Sequence, residues 1–404
     1  MKKINLDTKM IKNYLTIRYN PVNPPIPAVN WKHLLNKTSD TDGYVTENLL
    51  IRSVKKPFME KEKTVVVSLS SGIDSTLCLA ILRKVFPDKK LVAICAVFST
   101  NFDESIRAKE IAKKFGAEFK VITVDSIFTR MPELVAITGK PRWNTYQYII
   151  ANEARKFGKV LVTGDGADEI FGGYTFRYNK FLSLLKPNYD WKSKVLDYLE
   201  CHNRDWVPDQ KDMFGRKIKF NWETIYNYFK PYFLNRLNPL EQIMLADFNG
   251  KLLFDFIPTG MAISKHYHLR GLPMFLDEDV INFGTRLPME QKYDHLNQRG
   301  KIVLRKIAKR LGVDHIDEKK GFSPDLIIDW NTHGKQICEK YLLDENSHIF
   351  EKGLINHAWV LEAFEKINDD GDIRYLNRII SILALEIWYR IFISKELDSK
   401  QKLS

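Results

Sequence analysis

Short apolar runs alternate with longer amphipathic stretches between residues 64 and 175. The short runs are rich in β-branched residues and predict strands at Thr64–Leu69, Leu91–Phe98, Phe119–Val124 and Val160–Thr163. The stretches between them carry helical spacing and predict helices at Ser75–Val85, Glu104–Phe115 and Asn144–Phe157. Strands that alternate with helices indicate an α/β fold with a doubly wound parallel sheet.

Beyond Tyr174 the strand pattern fades, and the remaining residues predict a large helical half. Its last long helix places Ile380, Leu383, Ile387 and Ile391 at spacings of three, four and four, which predicts one apolar face. We therefore expect one main unit over 61–395, with the sheet in 61–175, the helices in 176–395 and a tail at 396–404.

Residues 1–60 carry a different pattern. The stretch Asn20–Trp31, NPVNPPIPAVNW, holds four prolines and predicts an extended connector. Residues 1–63 hold 12 Lys and Arg against 6 Asp and Glu, which is half of the net charge of +12. This excess is either a basic arm for nucleic acid or a solvated basic surface. The sequence favours the second, because no basic run is interleaved with aromatic residues.

Composition excludes several classes of protein. The sequence has no run of about 18 apolar residues, which a membrane span needs, and no apolar segment follows the basic N-terminus as in a secretory signal. The cysteines form no CxxC pair, so neither a zinc site nor a disulfide framework is indicated; they are Cys78, Cys95, Cys201 and Cys338. These features together predict a cytoplasmic protein that needs no membrane.

The turn after the first predicted strand has the composition of a phosphate-binding loop. The stretch VVVSLSSGIDST places Ser70, Ser71, Gly72 and Ser75 where a strand gives way to a helix, and Gly72 allows either close approach of a ligand or a positive φ. The lysine of a Walker loop is absent. Asp74 would repel a phosphate unless Mg²⁺ lay between them, so the turn predicts Mg²⁺ and the pyrophosphate of ATP attacked at its α-phosphate.

The fourth predicted strand ends in a similar turn, VLVTGDGADEIFGGY, from Val160 to Tyr174. It brings Asp165, Asp168 and Glu169 together, and three carboxylates beside a phosphate site indicate a cation. If both strands are central in the sheet, Asp168 and Asp74 are expected to share one Mg²⁺.

These two turns resemble those of the asparagine synthetase family, whose synthetase domain is an ATP-pyrophosphatase of the PP-loop adenine nucleotide α-hydrolase type. SLSSGIDST is similar to the family pattern LSGGLDSS, and TGDGADEIFGGY is similar to SGEGADELFGGY. Further similar segments extend the resemblance over about residues 60–395; they are Gly260–Pro288, Gly300–Ala308, Asp317–Asp325 and Leu383–Phe392.

The resemblance implies an enzyme that adenylates a carboxylate with ATP, releases pyrophosphate and passes the acyl group to an amine. It implies that Ser70, Ser71, Gly72, Asp74 and Ser75 bind pyrophosphate and Mg²⁺, with Asp168 as the second metal ligand. Val97 and Ser99 would face the adenosine, and Gly164 and Asp165 would lie near the acyl group. Lys301 and Lys319 would neutralise charge on the phosphates.

Three departures from the family pattern bear on the substrates. About 60 residues precede the resemblance, too few for the family's glutaminase domain, so the nitrogen is expected from free ammonia, a separate glutaminase or a substrate amine. Asp165 stands where the family has glutamate, which draws the carboxylate back by roughly one C–C bond. The segment His268–Asp277 lacks the family's glutamate and has an extra residue, which leaves aspartate as the default acyl substrate but not the only one.

Other functions remain open at this point. A second ligase hypothesis replaces aspartate by a sugar acid, a peptide or a β-amino acid, in amide formation or cyclisation. A PP-loop enzyme that modifies tRNA is a further alternative, although it would lack the GADE turn. A scaffold without activity is disfavoured by the presence of Asp74 and Asp168. The sequence leaves the oligomeric state undecided, a homo-oligomer included.

Overall fold

The computed structural model describes residues 6–97, 102–124, 126–144, 147–187, 190–202, 206–313 and 325–404, without the side chains of Phe102 and Asp103.

A five-stranded parallel sheet forms the centre of the fold, in the order β3-β2-β1-β4-β5. Its strands are β1 (Thr64–Ser68), β2 (Lys90–Val97), β3 (Glu118–Thr123), β4 (Val160–Thr163) and β5 (Arg270–Pro273). The first four strands confirm the predicted ones. The fifth was not predicted, because it lies beyond Tyr174 where the strand pattern fades; it pairs with β4 in register Val160 with Arg270. The strand order reverses between β1 and β4, which is where open α/β sheets bind ligands.

Alternate residues of the strands enter two separate hydrophobic cores. Val65 and Val67 of β1 are fully buried on one face of the sheet, and Val66 between them is fully buried on the other. Because the side-chain period of a strand is two, a strand covered on both faces shows a continuous β-branched run. Both faces are therefore covered, as the doubly wound prediction requires.

The helices of residues 8–171 accompany the first four strands along the chain. They are α1 (Thr8–Ile17), α2 (Tyr44–Val54), α3 (Pro57–Lys61), α4 (Ile73–Val85), α5 (Phe102–Lys114), α6 (Met131–Thr138), α7 (Tyr148–Ala154) and α8 (Ala167–Phe171). The core with Val65 packs against α2, α4 and α5, and the core with Val66 packs against α1, α6 and α7.

The rest of the chain is mainly helical, as predicted. Its α-helices are α9 (Thr175–Leu184), α10 (Trp191–Glu200), α11 (Trp222–Phe233), α12 (Pro239–Asp247), α13 (Ile257–His266), α14 (Glu278–Gly284), α15 (Ile302–Arg310), α16 (Leu326–Asp329), α17 (Lys335–Leu342), α18 (His348–Glu351), α19 (His357–Asp370) and α20 (Ile373–Tyr389). Segments Phe248–Phe256, Trp330–Gly334 and Arg390–Ser394 are π-helical, and β6 (Tyr293–Asp294) pairs with β7 (Arg299–Gly300).

Helix α20 differs from its prediction. The sequence spacing indicated one apolar face, but every residue from Tyr375 to Tyr389 is buried. The polar residues on its other faces are paired inside the protein: Glu386 accepts hydrogen bonds from Arg390 Nε at 2.7 Å and from Ile349 N at 3.1 Å. A helix surrounded by protein on all sides needs such partners for its charged groups.

The residues ahead of the sheet contain helices and belong to the same cores. Met10, Ile11 and Leu15 of α1 are buried beside α20, and Arg378 donates a hydrogen bond to the Leu15 carbonyl. The proline-rich stretch forms neither helix nor strand from Asn20 to Asn30.

All four cysteines are buried and none forms a disulfide. In the part of the chain that the structure describes, no helix combines the length and the apolar composition that crossing a membrane requires.

Candidate active site

The turn after β1 is closed by its own serine hydroxyls. Ser70 N donates a hydrogen bond to Ser75 Oγ at 2.9 Å, and Gly72 N donates to Ser70 Oγ at 3.2 Å. Gly72 is the N-cap of α4 with φ −74°, so the positive-φ interpretation of this glycine is wrong. A Cβ on Gly72 would meet only Ser70 Oγ, at 3.3 Å. The backbone donors of this turn therefore face hydroxyls that a phosphate oxygen can replace.

Asp74 lies in the first turn of α4, directly after this loop. The loop after β4 lies against Asp74: a Cβ on Gly164 would lie 2.8 Å from Asp74 Cβ. Only glycine permits this approach without displacing Asp74. Gly164 thus brings the loop after β4 against the loop after β1, as the strand order predicts.

Asp74 and Asp168 meet at one ammonium group. Lys301 Nζ lies 2.6 Å from Asp74 Oδ2 and 2.6 Å from Asp168 Oδ1, so the two oxygens are no further apart than twice that distance. Only 6% of the Lys301 side chain is exposed. The two carboxylates that the sequence assigned to one Mg²⁺ are therefore neighbours, and the predicted phosphate-binding lysine is their common partner.

The backbone holds Lys301 in place. It is the N-cap of α15 in the left-handed conformation, with φ 59° and ψ 40°, and its N–H donates to the Phe171 carbonyl at 3.2 Å. A Cβ on Gly300 would lie 2.2 Å from the Gly172 carbonyl oxygen, so this glycine allows the α15 entry to rest on the FGG turn. A left-handed residue other than glycine is strained and indicates that surrounding contacts fix it.

The three acidic residues of the GDGADE turn point to different places, and only Asp168 of the three faces Asp74 and Lys301. Asp168 faces Lys301. Asp165 is exposed and accepts a hydrogen bond from Thr163 Oγ1 at 2.7 Å. Glu169 is buried and accepts a hydrogen bond from Tyr174 OH at 2.6 Å. Because α8 turns by about 100° per residue, the consecutive side chains of Asp168 and Glu169 leave it in different directions, while Asp165 lies ahead of the helix.

Glu169 belongs to a buried network behind the site. Burial raises its pKa to about 7, which the Tyr174 hydrogen bond opposes. Arg177 stacks 3.7 Å from the centre of the Tyr174 ring and pairs with Asp247 at 2.7 Å. Tyr198 OH also donates to Asp247, at 2.8 Å. This network ties α8 to α9, α10 and α12.

Lys292 is a second buried titratable group near the site. Its Nζ donates to the Thr285 carbonyl at 2.8 Å, and burial lowers its pKa from 10.5 to about 7. Its own carbonyl accepts from Ile302 N at 3.2 Å, next to Lys301. Lys292 and Glu169 line one pocket, together with Val29 and Leu34 of the N-terminal segment. The sequence pattern gave no signal for Lys292.

The donor set fits Mg²⁺ held jointly with nucleotide phosphates. Asp74 Oδ1 is buried and has no hydrogen-bond partner among the described residues, which is an oxygen available to a cation. Across the described ranges, no group of three or more His, Cys, Asp or Glu side chains forms a complete metal cage. Mg²⁺ in nucleotide sites typically takes one or two carboxylates, phosphate oxygens and water.

The other predicted residues have different outcomes. Val97 is 3% exposed at the carboxyl end of β2, in the core with Val65. Ser99 and Lys319 lie outside the described residues. Gly173 was missed: a Cβ there would lie 1.8 Å from Asp168 Oδ1 and 2.4 Å from Lys301 Cε. The doubled glycine of the FGGY motif was its only signal.

The segment that departs from the family pattern lies beside the GDGADE turn. Its residues 270–273 form β5, and Pro273 pairs in register with Thr163 at the end of β4. A Cβ on Gly166, which has φ 90°, would lie 2.3 Å from Leu276 Cδ2. The exposed Asp165 therefore neighbours the segment in which the sequence predicted acyl selectivity.

Comparison with known proteins agrees with this architecture. Residues 46–390 match the family model described as Asparagine synthase. A putative glutamine-hydrolyzing asparagine synthetase of Mycobacterium bovis is 36% identical over 374 residues, which are 83% of this chain and 56% of that protein. Glutamine-hydrolyzing asparagine synthetase 1 of Bacillus subtilis is 25% identical over 365 residues, 81% of this chain and 56% of that protein.

Another similarity covers a shorter region. An NH(3)-dependent NAD(+) synthetase of Trichlorobacter lovleyi is 25% identical over 159 residues, 36% of this chain and 58% of that protein. The chain spans about half the length of the asparagine synthetases that it matches. Since the family match covers most of the chain, and the two carboxylate turns meet at the reversal point of a parallel sheet, the protein belongs to the asparagine synthase family.

Proposed function

We propose that the protein is an ATP-dependent ligase that joins a carboxylate to an amine through an acyl-adenylate. One observation carries the proposal: Asp74 and Asp168 come from turns after different strands, and both lie 2.6 Å from Lys301 Nζ. Acidic pairs beside a lysine-free phosphate turn suit a metal-bound pyrophosphate better than attack at a γ-phosphate, which in P-loop enzymes relies on a lysine.

In the first step a carboxylate oxygen attacks the α-phosphorus of ATP, and the bond to pyrophosphate breaks. The Ser70–Ser75 turn binds the departing pyrophosphate through its backbone N–H and hydroxyl groups. Lys301 offsets negative charge as it develops, and Lys319 is proposed for the same task. Mg²⁺ bound by Asp74 and Asp168 would supply further positive charge to the phosphates.

In the second step an amine nitrogen attacks the acyl carbon, and AMP leaves. Asp165 is proposed to orient or deprotonate the amine, because it is exposed and directly precedes Gly166, which lies against Leu276. Val97 and Ser99 are proposed to contact adenosine, and Gly164 the acyl group. The nitrogen source is proposed as ammonia, either free or delivered by a separate glutaminase, or an amine of the substrate.

Aspartate is the default acyl substrate, because relatives that match most of the chain are named asparagine synthetases. Asp165 follows β4, and the segment His268–Asp277 contains β5, which pairs with β4. The two departures from the family pattern therefore lie next to each other in space. A shorter carboxylate facing an altered segment supports a different acid as the alternative substrate.

The test is to incubate the purified protein with ATP, Mg²⁺ and ammonium, adding aspartate, sugar acids, β-amino acids or short peptides one at a time. AMP, ADP, pyrophosphate, orthophosphate and the amide are then measured separately. The expected result is AMP and pyrophosphate in equal amounts, dependent on one class of acid. AMP with aspartate identifies the default substrate, and AMP with another acid identifies the alternative.

The matched control variants are Asp168→Asn and Asp369→Asn. Asp369 is exposed near the end of α19 and far in sequence from both turns. We expect D168N to lower AMP release by about a hundredfold or more, a loss typical of electrostatic groups at reacting phosphates, and D369N to leave it unchanged. Production of ADP and orthophosphate would refute the proposal, as would the absence of AMP with every acid.

A further inference from the structure

The pair Asp74 and Asp168 needs a positive charge between its members. Their side chains are only 21% and 12% exposed, and their oxygens lie close together around one nitrogen. Two carboxylates so placed repel each other strongly when water is excluded, and a removed partner leaves an uncompensated buried charge. In this structure Lys301 supplies that charge.

Lys301 differs from an ordinary ion-pair lysine in how it is held. Its backbone is fixed by the Phe171 carbonyl and by the left-handed N-cap of α15. Gly173 leaves space for Lys301 Cε and for Asp168 Oδ1 together, since a Cβ there would lie within 2.4 Å of both atoms. The ammonium group is therefore seated between the carboxylates, while the flexible stem of a lysine leaves it free to take another position.

From this geometry we propose that Lys301 is a removable counter-ion that occupies the place of the metal between Asp74 and Asp168 until a nucleotide arrives. When Mg²⁺ enters with ATP, the ammonium group leaves the two carboxylates. It then pairs with the nucleotide phosphates, whose negative charge replaces that of the carboxylates. The inference rests on the proposed function for the identity of the nucleotide, but the competition between Lys301 and a divalent cation is independent of any reaction.

The competition has a direct consequence for metal affinity. A free divalent cation must displace a paired, nearly buried ammonium group, so the nucleotide-free protein binds the cation weakly. A neutral side chain at position 301 removes the competing ammonium group, which raises affinity for the cation. Cation binding to the folded state then stabilises that variant more than the natural protein.

The experiment measures Mn²⁺ binding to the nucleotide-free protein by electron paramagnetic resonance, with the natural protein, Lys301→Gln and Lys301→Met. The matched control is Lys309→Met, because Lys309 is an exposed lysine on the same helix. Both position-301 variants are expected to bind Mn²⁺ at least ten times more tightly than the natural protein, and K309M to bind as the natural protein does. The melting temperature of K301Q is expected to rise with Mg²⁺, and that of the natural protein to stay constant.

Glutamine keeps most of the length of lysine and donates hydrogen bonds to both carboxylates, so K301Q tests the inference if K301M fails to fold. Equal Mn²⁺ affinity in K301Q and the natural protein would overturn the inference. Tight Mn²⁺ binding by the natural protein without nucleotide would overturn it as well. Neither measurement includes ATP or a carboxylic acid, so failure of AMP release would refute the proposed function and leave this result standing.

Discussion

Gly173 lies so close to Asp168 that no side chain fits between them: a Cβ on Gly173 would be 1.8 Å from Asp168 Oδ1. The second glycine of the FGG turn thus leaves space for the carboxylate that pairs with Lys301. Gly173 has no side chain that could take part in the reaction. Its substitution therefore tests whether the position of the Asp168 carboxylate matters for activity.

Gly173→Ala is expected to destabilise the fold by about 1–3 kcal/mol, the usual effect of overpacking, and to abolish most AMP release. Urea denaturation and the AMP assay measure the two effects. Gly260→Ala is the matched control: Gly260 lies inside α13, and a Cβ there meets no atom within 4 Å. Alanine at 260 is expected to stabilise the helix by about 1 kcal/mol and to keep activity. Full activity in G173A would contradict the prediction.

The double substitution Asp74→Asn with Asp168→Asn is expected to destabilise the metal-free protein by about 3–5 kcal/mol, because it leaves the nearly buried Lys301 without a counter-charge. Urea denaturation in the presence of a chelator measures the loss. Adding Lys301→Met to this double variant is expected to recover a large part of it. A triple variant that is less stable than the double variant would show that Lys301 is not the source of the effect.

Glu169 predicts a specific dependence of stability on pH. Its pKa is about 7 in the folded protein, raised by burial from 4.5, with Tyr174, Arg177 and Asp247 as its charged or titratable neighbours. Between pH 4.5 and pH 7 the folded state retains a proton that the unfolded state has lost, so the free energy of unfolding falls as pH rises. The loss is complete above pH 7 and amounts to about 3 kcal/mol.

Glu169→Gln removes this loss, because glutamine is neutral and its carbonyl still accepts the Tyr174 hydrogen bond. The stability of E169Q relative to the natural protein is therefore expected to increase from pH 5 to pH 8, measured by urea denaturation at each pH. Glu365→Gln, at an exposed position of α19, is expected to show a constant difference. A constant difference for E169Q as well would show that Glu169 titrates normally.

Lys292 predicts the opposite slope. Burial lowers its pKa to about 7 in the folded protein from 10.5, so above pH 7 the unfolded state binds a proton that the folded state does not. The contribution of Lys292 to the free energy of unfolding therefore rises with pH. Relative to Lys292→Met, the natural protein is expected to gain about 2–3 kcal/mol between pH 7 and pH 9. K309M changes an exposed lysine and serves as the control. The difference in free energy of unfolding between the natural protein and K309M is expected to stay close to constant between pH 7 and pH 9.

The sequence predicted β1, β2 and β4 because they are nearly continuous apolar runs, which burial on both faces demands. It predicted β3 as well, although that strand is only partly buried. It missed β5, since Arg270 and Gly271 are exposed and the strand contains glycine and proline, which are depleted in strands. It also predicted the meeting of Asp74 and Asp168, because both follow strands that are central in the sheet. That inference depended on both strands being central, which the order of the sheet fulfils.

The position of Lys301 between the two carboxylates was beyond the sequence pattern. Lys301 is 227 residues from Asp74, and no periodicity relates α15 to α4. Its placement depends on the contact of Gly300 with the Gly172 carbonyl, which is visible only in three dimensions. The different directions of Asp168 and Glu169 were likewise hidden, because the short helix α8 separates side chains that adjoin in the sequence.

Glu47 of α2 connects the two helices on which the site depends. Its carboxylate pairs with Lys84 of α4 at 2.6 Å and with Arg310 of α15 at 2.6 Å. Burial would raise its pKa, but these two hydrogen-bonding partners hold the pKa below its ordinary value. A recombinant fragment trimmed to begin at residue 61 would lose Glu47 and both of its ion pairs. The helices that carry Asp74 and Lys301 would then no longer be joined through a common carboxylate.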